Sequence, residues 1–332
     1  MIFVFWKIAG RRLPYRAVTN RFPIGDNAAP DVGGGQASEG EMEQAGGTRP
    51  GFGETVSNAF RSTGQAAGQM PVLFFSAYFG LLAVSFATQY FGYNAIAASK
   101  LITGGIGVAN ALVLLAGMFA FYALNAFFLA PVAVAMHRFI LRNEVNNSLA
   151  IPSRDRTRLF ATWLVIIAAA RVLSYVPGAF GSVMGDGRIL AGLFAYICLL
   201  AVGVVGVRLS LLFPAVAVDD PAAGFFARAH TSWERTRGHF WFLFGLTLVI
   251  GFIVAIPFGM VISAITLSTV AGSIAAGGAP PKPDVMLDLM TSAPVLFLNA
   301  LQYVVLTAVA AAGLSWIYRG LVEQEAKVAV PA

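Results

Sequence analysis

Charge is scarce in this chain, and negative charge is absent from its long apolar stretches. Charged residues make up 11% of the 332 residues, against about 25% in soluble domains. No Asp or Glu falls inside a long apolar run, which argues against the buried carboxylates on which ion-coupled carriers depend. The only cysteine, Cys198, excludes an intrachain disulfide and says nothing about the compartment. The three histidines, His137, His230 and His239, come without an HExxH pattern or a carboxylate ligand cluster, so no metal centre is expected. A phosphate-cradling GxxxxGK[ST] run is missing too. No nucleophile and base can be assembled into one place, so no catalytic residues are assigned and no cofactor is expected.

Apolar residues are what the chain has in abundance. They form 58% of it, against roughly 45–50% in soluble proteins, more apolar surface than one soluble domain keeps from water. A membrane-crossing helix needs about 20 mostly apolar residues. Runs of that kind lie at Met70–Gln89, Asn110–Met136, Leu159–Val176, Leu190–Phe213, Phe240–Ile262 and Pro294–Tyr318. The fold class is therefore all-α and polytopic: six transmembrane helices paired as three hairpins, joined by interfacial amphipathic helices. The expected layout is an N-terminal tail over residues 1–53, a membrane domain over 54–320 and a C-terminal tail over 321–332.

Basic residues orient the spans. Of 22 Lys and Arg, only Lys100, Arg188 and Lys282 fall outside one set of alternate loops and tails, with Arg171 inside a span and Arg208, near the end of the fourth span, counted with the loop that follows it. Cytoplasmic loops are the ones enriched in Lys and Arg, so both termini are expected in the cytoplasm of a bacterial inner membrane. Trp163, Trp241 and Trp316 fall near one set of span ends, and Tyr90, Tyr93 and Tyr175 near the other, as an interfacial aromatic belt requires. The formal charge of +6 sits beside apolar spans and points to anionic lipid headgroups as partners rather than nucleic acid. The triplet Asn146-Asn147-Ser148 resembles a glycosylation signal, but its loop is placed on the cytoplasmic side.

The flanking segments carry weaker signals. Met1–Gly10 is apolar but lacks the flanks of a signal peptide, leaving an interfacial anchor or a misassigned start codon as readings. Residues 11–51, rich in Gly, Pro and polar residues, read as a disordered tail. Val56, Phe60, Thr63, Ala67 and Met70 recur at helical spacing, which predicts an interfacial amphipathic helix. Asp220-Pro221 is a helix-start signal, with Asp219 beside it. The stripe Ala222, Phe226, Ala229, Trp233 and Phe240 predicts a second interfacial helix. Pro257 should kink the fifth span. A weak internal match sets Ser62…Gly68 and the first span against Ser232…Gly238 and the fifth; arginines at span ends arise from the charge rule without duplication.

Arg208-x5-Pro214-Ala215, then Asp220, then Ser232-x3-Thr236-x-Gly238 leading into an aromatic-rich span, resembles a set of bacterial six-helix inner-membrane proteins. These are the YciC-like proteins and the membrane domain attached to some glycerophosphodiester phosphodiesterases. In layout the resemblance covers residues 54–320, and in motif only the stretch around Arg208 to Trp241. It implies architecture and location. The phosphodiesterase activity belongs to a separate catalytic barrel for which this chain has no room.

Several residues stand out as candidate sites. Arg171 is charged within a span, which leaves two readings: a side chain snorkelling to phosphate, or a substrate contact. Arg208, Arg235 and Arg237 are placed to meet anionic lipid at the cytoplasmic interface. Asn299 and Gln302 share one helical face of the sixth span, and Asn125 lies in the second. Such amides bond helices together or line a permeation path. Gly107, Gly117, Gly203, Gly206, Gly245 and Gly251 are expected to allow close helix packing. The function expected is a non-enzymatic scaffold or lipid-interacting module, with a permease for a small or lipid-like substrate as the alternative.

Overall fold

A computed structural model describes residues 51–98, 108–148, 154–174, 176–177, 188–218, 225–275 and 292–329. The expectations for the N-terminal tail, Gly107, Tyr175 and the Asp219-Asp220-Pro221 helix start lie outside the described residues. All regular structure among the described residues is helical. The elements are α1 (Phe52–Gln69), α2 (Pro71–Ala98), α3 (Val108–Arg142), α4 (Arg154–Ser174), α5 (Arg188–Arg208), α6 (Leu212–Val218), α7 (Phe225–Arg235), α8 (Phe240–Ala275) and α9 (Ala293–Ala329). Six of them, α2, α3, α4, α5, α8 and α9, contain stretches long and apolar enough to cross a membrane.

The spans pack as the expected hairpins: α2 on α3, α4 on α5, and α8 on α9. α3 and α9 form the centre. α9 touches α1, α2, α3, α6 and α8, and α3 touches α2, α4, α6 and α9. The core follows from this pairing, with Ala130, Val134, Met136, Ala300, Ala308 and Ala312 buried along the two central helices. Small residues on both faces let the backbones approach, which in lipid replaces the missing hydrophobic drive between helices. α5 is the opposite case, with no buried residue among its side chains from Ile189 to Arg208.

Span four differs from its expected form. The run read as one helix to Phe213 stops at Arg208, turns through Leu209–Leu211 and restarts as α6. Pro214 sits in the first turn of α6, where its missing N–H costs nothing. The Ser210 hydroxyl donates to the Val207 carbonyl at 2.8 Å and helps to close the turn. α6 then buries Leu212 through Ala217 against α3, α4 and α9. A non-helical turn beside the membrane is tolerated here because protein surrounds it.

Helix ends are satisfied by residues distant in sequence. The Asn147 side-chain oxygen accepts the Val72 and Leu73 amide N–H groups, at 2.8 and 3.3 Å, at the start of α2. The apparent glycosylation triplet is thus a cap supplied from another segment. α3 ends at Asn143 in the left-handed region (φ 53°), a usual helix stop. Gly238, at φ 82°, provides the same kind of turn between α7 and α8. α8 continues through Pro257 as one helix. α9 runs on to Ala329, so the segment read as a C-terminal tail begins as helix.

Close packing occurs at glycines other than those expected. A Cβ on Gly80 would stand 2.2 Å from the Phe128 ring, and one on Gly313 would stand 2.9 Å from Ile250. Gly117, Gly203, Gly206 and Gly251 have nothing within 4 Å, and Gly245 only meets Phe52 at 3.6 Å. The expected glycines lie mostly on faces turned away from the bundle. A glycine count along a span cannot tell which face will be covered.

Candidate functional site

Both interfacial helices dock on the bundle through their small, polar faces. α1 buries Thr55, Ala59, Ser62 and Ala66 against α9, one position off the stripe of Val56, Phe60, Thr63 and Ala67. α7 buries Ser232, while Phe226 and Trp233 remain exposed. Small residues permit close approach to the bundle, and Val56 and Phe60 on α1 and Ala229 on α7 pack, partly buried, beside them. The Ser62 hydroxyl accepts the Trp316 indole N–H at 3.1 Å. The Ser232 hydroxyl donates to the Arg208 carbonyl at 3.0 Å. Ser62 and Ser232 therefore play matching parts, each fastening an interfacial helix to the end of an even-numbered span.

The arginines at this end of the bundle fall into three kinds. Arg138 pairs with Glu144 and donates to the Ala217 carbonyl at 3.2 Å, and Arg142 donates to the Val218 carbonyl. Together they cap the C-terminus of α6, where orphan carbonyls and the helix dipole both favour a cation. Arg235 donates to the Tyr318 hydroxyl at 3.2 Å and lies 5.4 Å over its ring. Arg237 is exposed and, among the described residues, its side chain pairs with Glu234 at 3.8 Å, a contact weak in solvent.

Arg208 is different. Its guanidinium carbon lies 5.4 Å from the centres of both the Trp233 and Phe240 rings. Thr236 and Ser232 both donate to its own carbonyl, which ties the turn after α5 to α7. One of its guanidinium nitrogens, Nη1, is buried, and no described residue offers it an acceptor. Two aromatic faces hold the cation by their quadrupoles without satisfying its N–H groups. The arrangement orients a planar donor fork that an anion of phosphate or carboxylate shape would complete.

Arg171 stands at the other end of the bundle. It is exposed on the last turn of α4, 5.5 Å over the Tyr122 ring of α3. The four candidate arginines thus do not form one site: Arg208 and Arg235 brace the α7 end, Arg237 points to solvent, and Arg171 belongs to the opposite boundary. Asn125 is buried, and among the described residues neither of its amide atoms finds a partner. Asn299 and Gln302 are half-buried on α9.

The closest approach to an acid–base pair is His137 with Ser315. Nδ1 and Oγ are 2.7 Å apart, and both residues are buried. The Ser315 hydroxyl donates to the Ala311 carbonyl at 2.9 Å, so the histidine N–H donates to the serine and fixes the tautomer. The hydroxyl is turned to the backbone, and the pair serves as a clasp between α3 and α9. Among the described residues no group of three His, Cys, Asp or Glu is placed to hold a metal.

Sequence reasoning found the arginines and missed their aromatic partners, Trp233, Phe240, Tyr122 and Tyr318. Those partners come from other helices, and helix register is not encoded in any local pattern. Comparison of the chain with family models, with curated proteins and with solved structures finds no match.

Proposed function

We propose that this chain is a multi-pass protein of the bacterial inner membrane, with both termini cytoplasmic, that binds anionic phospholipid as a non-enzymatic lipid-contacting scaffold. The proposal keeps the YciC-like resemblance as its expectation of family. Six spans return the chain to the side it started from, and the arginine-rich end is assigned to the cytoplasm by the charge rule. One observation carries the functional reading. Arg208 is held between Trp233 and Phe240 with a buried N–H edge that no described residue satisfies, at the boundary where anionic headgroups concentrate. A headgroup phosphate supplies the missing acceptor.

Native mass spectrometry of the purified protein tests this. Wild type should retain anionic phospholipid, Arg208→Gln should lose most of it, and Arg208→Lys should retain an intermediate amount because a lysine lacks the bidentate fork. The pair Asp219→Asn and Asp220→Asn, beyond α6 in sequence, should retain as much as wild type. Equal retention by wild type and Arg208→Gln would end the proposal.

A second reading, a permease, draws support from Asn125 alone, because an unpartnered buried amide is a place for water or a polar solute. If the amide is only a packing defect, Asn125→Leu should stabilise the protein by about 1–3 kcal/mol by removing an unsatisfied group. If it lines a hydrated path, the same change should leave the melting temperature unchanged or lower it.

A further inference from the structure

Two hydroxyls fasten α7 to one carbonyl. Ser232 and Thr236 are both buried. The Ser232 hydroxyl donates to the Arg208 carbonyl at 3.0 Å. The Thr236 hydroxyl lies 2.9 Å from the Trp233 carbonyl and 3.3 Å from that of Arg208. A further tie runs from Arg235 to the Tyr318 hydroxyl on α9. These ties fall at the C-terminal end of α7, whose first turn leaves Phe226 82% exposed. A helix of 11 residues is shorter than the about 12–15 residues at which an isolated helix becomes even marginal in water. The order of α7 therefore depends on its being docked.

The donor fork of Arg208 is assembled from three elements. Arg208 ends α5, Trp233 lies on α7 and Phe240 begins α8, and the guanidinium carbon stands 5.4 Å from both ring centres. With α7 undocked, the cation would keep the Phe240 ring and lose the Trp233 ring, and the Arg208 carbonyl would lose its hydroxyl donors. Docking has a cost while the site is empty. It closes Trp233 over Arg208, whose Nη1 is buried with no acceptor among the described residues, and an unmet buried donor is destabilising. A phosphate oxygen at Nη1 removes that penalty in the docked form alone. A ligand that prefers one form shifts the equilibrium toward it, and the coupling is reciprocal.

We propose that α7 is a latch closed by its ligand: phospholipid phosphate at Arg208 locks α7 onto the bundle, and loss of the lipid releases it. The inference rests on the reading of Arg208 as a phospholipid site and adds the regulation of that site. Ser232 is then a positioning residue. It touches the backbone of Arg208 rather than the lipid, and yet it sets the lipid's affinity. α1 is the counterpart without a latch. It packs on α9 and also touches α2, α3 and α8, and its Ser62 bonds the Trp316 indole N–H rather than the backbone of an arginine. The order of α1 is therefore independent of lipid at Arg208.

The test uses full-length protein, stripped of lipid in neutral detergent and titrated with dioctanoyl phosphatidylglycerol. Amide hydrogen exchange is read by mass spectrometry in the peptides that carry α7 and α1. The lipid should slow exchange in α7 at least about tenfold, within the range of a coupling between sites, and leave α1 unchanged. Arg208→Gln should abolish the slowing. Ser232→Ala should speed exchange without lipid and raise the half-saturating lipid concentration about threefold to tenfold. A serine that only held the helix would speed exchange with and without lipid and leave half-saturation where it was. Inorganic phosphate should have no effect. Exchange in α7 that ignores the lipid would overturn the latch even where native mass spectrometry shows lipid retained through Arg208, so this failure is distinct from failure of the Arg208 site. Slowing that α1 shares, or that persists in Arg208→Gln, would also overturn it. Unchanged half-saturation in Ser232→Ala would do the same, and that arm remains valid if Arg208→Gln does not fold. An equal effect of inorganic phosphate would overturn the assignment to a lipid.

Discussion

α9 and α5 both have the length and hydropathy of a membrane span, yet they are used in opposite ways. α9 is surrounded by five other helices and buries Val304, Ala308, Val309, Ala311, Ala312 and Ser315. α5 touches α4 and α8, and leaves Ile189, Leu190, Leu193, Phe194, Ile197 and Leu200 exposed. The difference lies in which residues can be matched. α9 offers small residues on one face, together with Ser315, Trp316 and Tyr318, whose polar atoms all find partners on other helices. α5 has small residues too, Gly192, Gly203 and Gly206, but nothing stands within 4 Å of a Cβ there, and its bulky side chains are solvated by lipid as well as by protein. Centrality in this bundle goes with small residues that meet a partner face and polar groups that are matched across it.

Substitutions can break this contrast. Gly80→Ala, on the α2–α3 contact, should have the largest effect, about 1–3 kcal/mol of destabilisation, because its Cβ enters the Phe128 ring; a drop in the detergent-solubilised melting temperature measures it. Ser315→Ala should come next, at about 1–2 kcal/mol, because it leaves the His137 N–H buried without an acceptor. Ser315→Thr, which keeps the hydroxyl, should recover part of that loss. Gly203→Ala on α5 should have the smallest effect and the opposite sign. Nothing stands within 4 Å of its added methyl, and alanine is the better helix former by about 0.5–1 kcal/mol. If Gly203→Ala destabilised as much as Gly80→Ala, α5 would have a packing partner.

The number of spans, their hairpin pairing and the clustering of arginines at one end were legible in the sequence, because each is set by composition over a long window. The break at Arg208 was not. Leu209–Phe213 is apolar enough to continue a helix, and only the space among α3, α4 and α9 shows that the chain turns inward there. The two amphipathic helices were legible, but whether they rest on lipid or on the bundle was not. On α1, Thr55, Ala59, Ser62 and Ala66 are buried, with Val56 and Phe60 partly buried against the core beside them, because small residues allow the closest approach. Arg171 and Arg208 stood out in the sequence, but their ring partners depend on helix register. Asp219 and Asp220 remain a sequence signal only.

The most direct test of the account is photo-crosslinking in vesicles, with a diazirine-bearing phosphatidylglycerol placed in one leaflet at a time. From the arginine-rich side, labelling should concentrate on the peptide that carries Trp233 and Phe240 and should fall sharply in Arg208→Gln. Labelling spread evenly along the exposed faces of α5 and α8, and unchanged by Arg208→Gln, would show only the lipid that surrounds any bundle and would contradict a specific headgroup site.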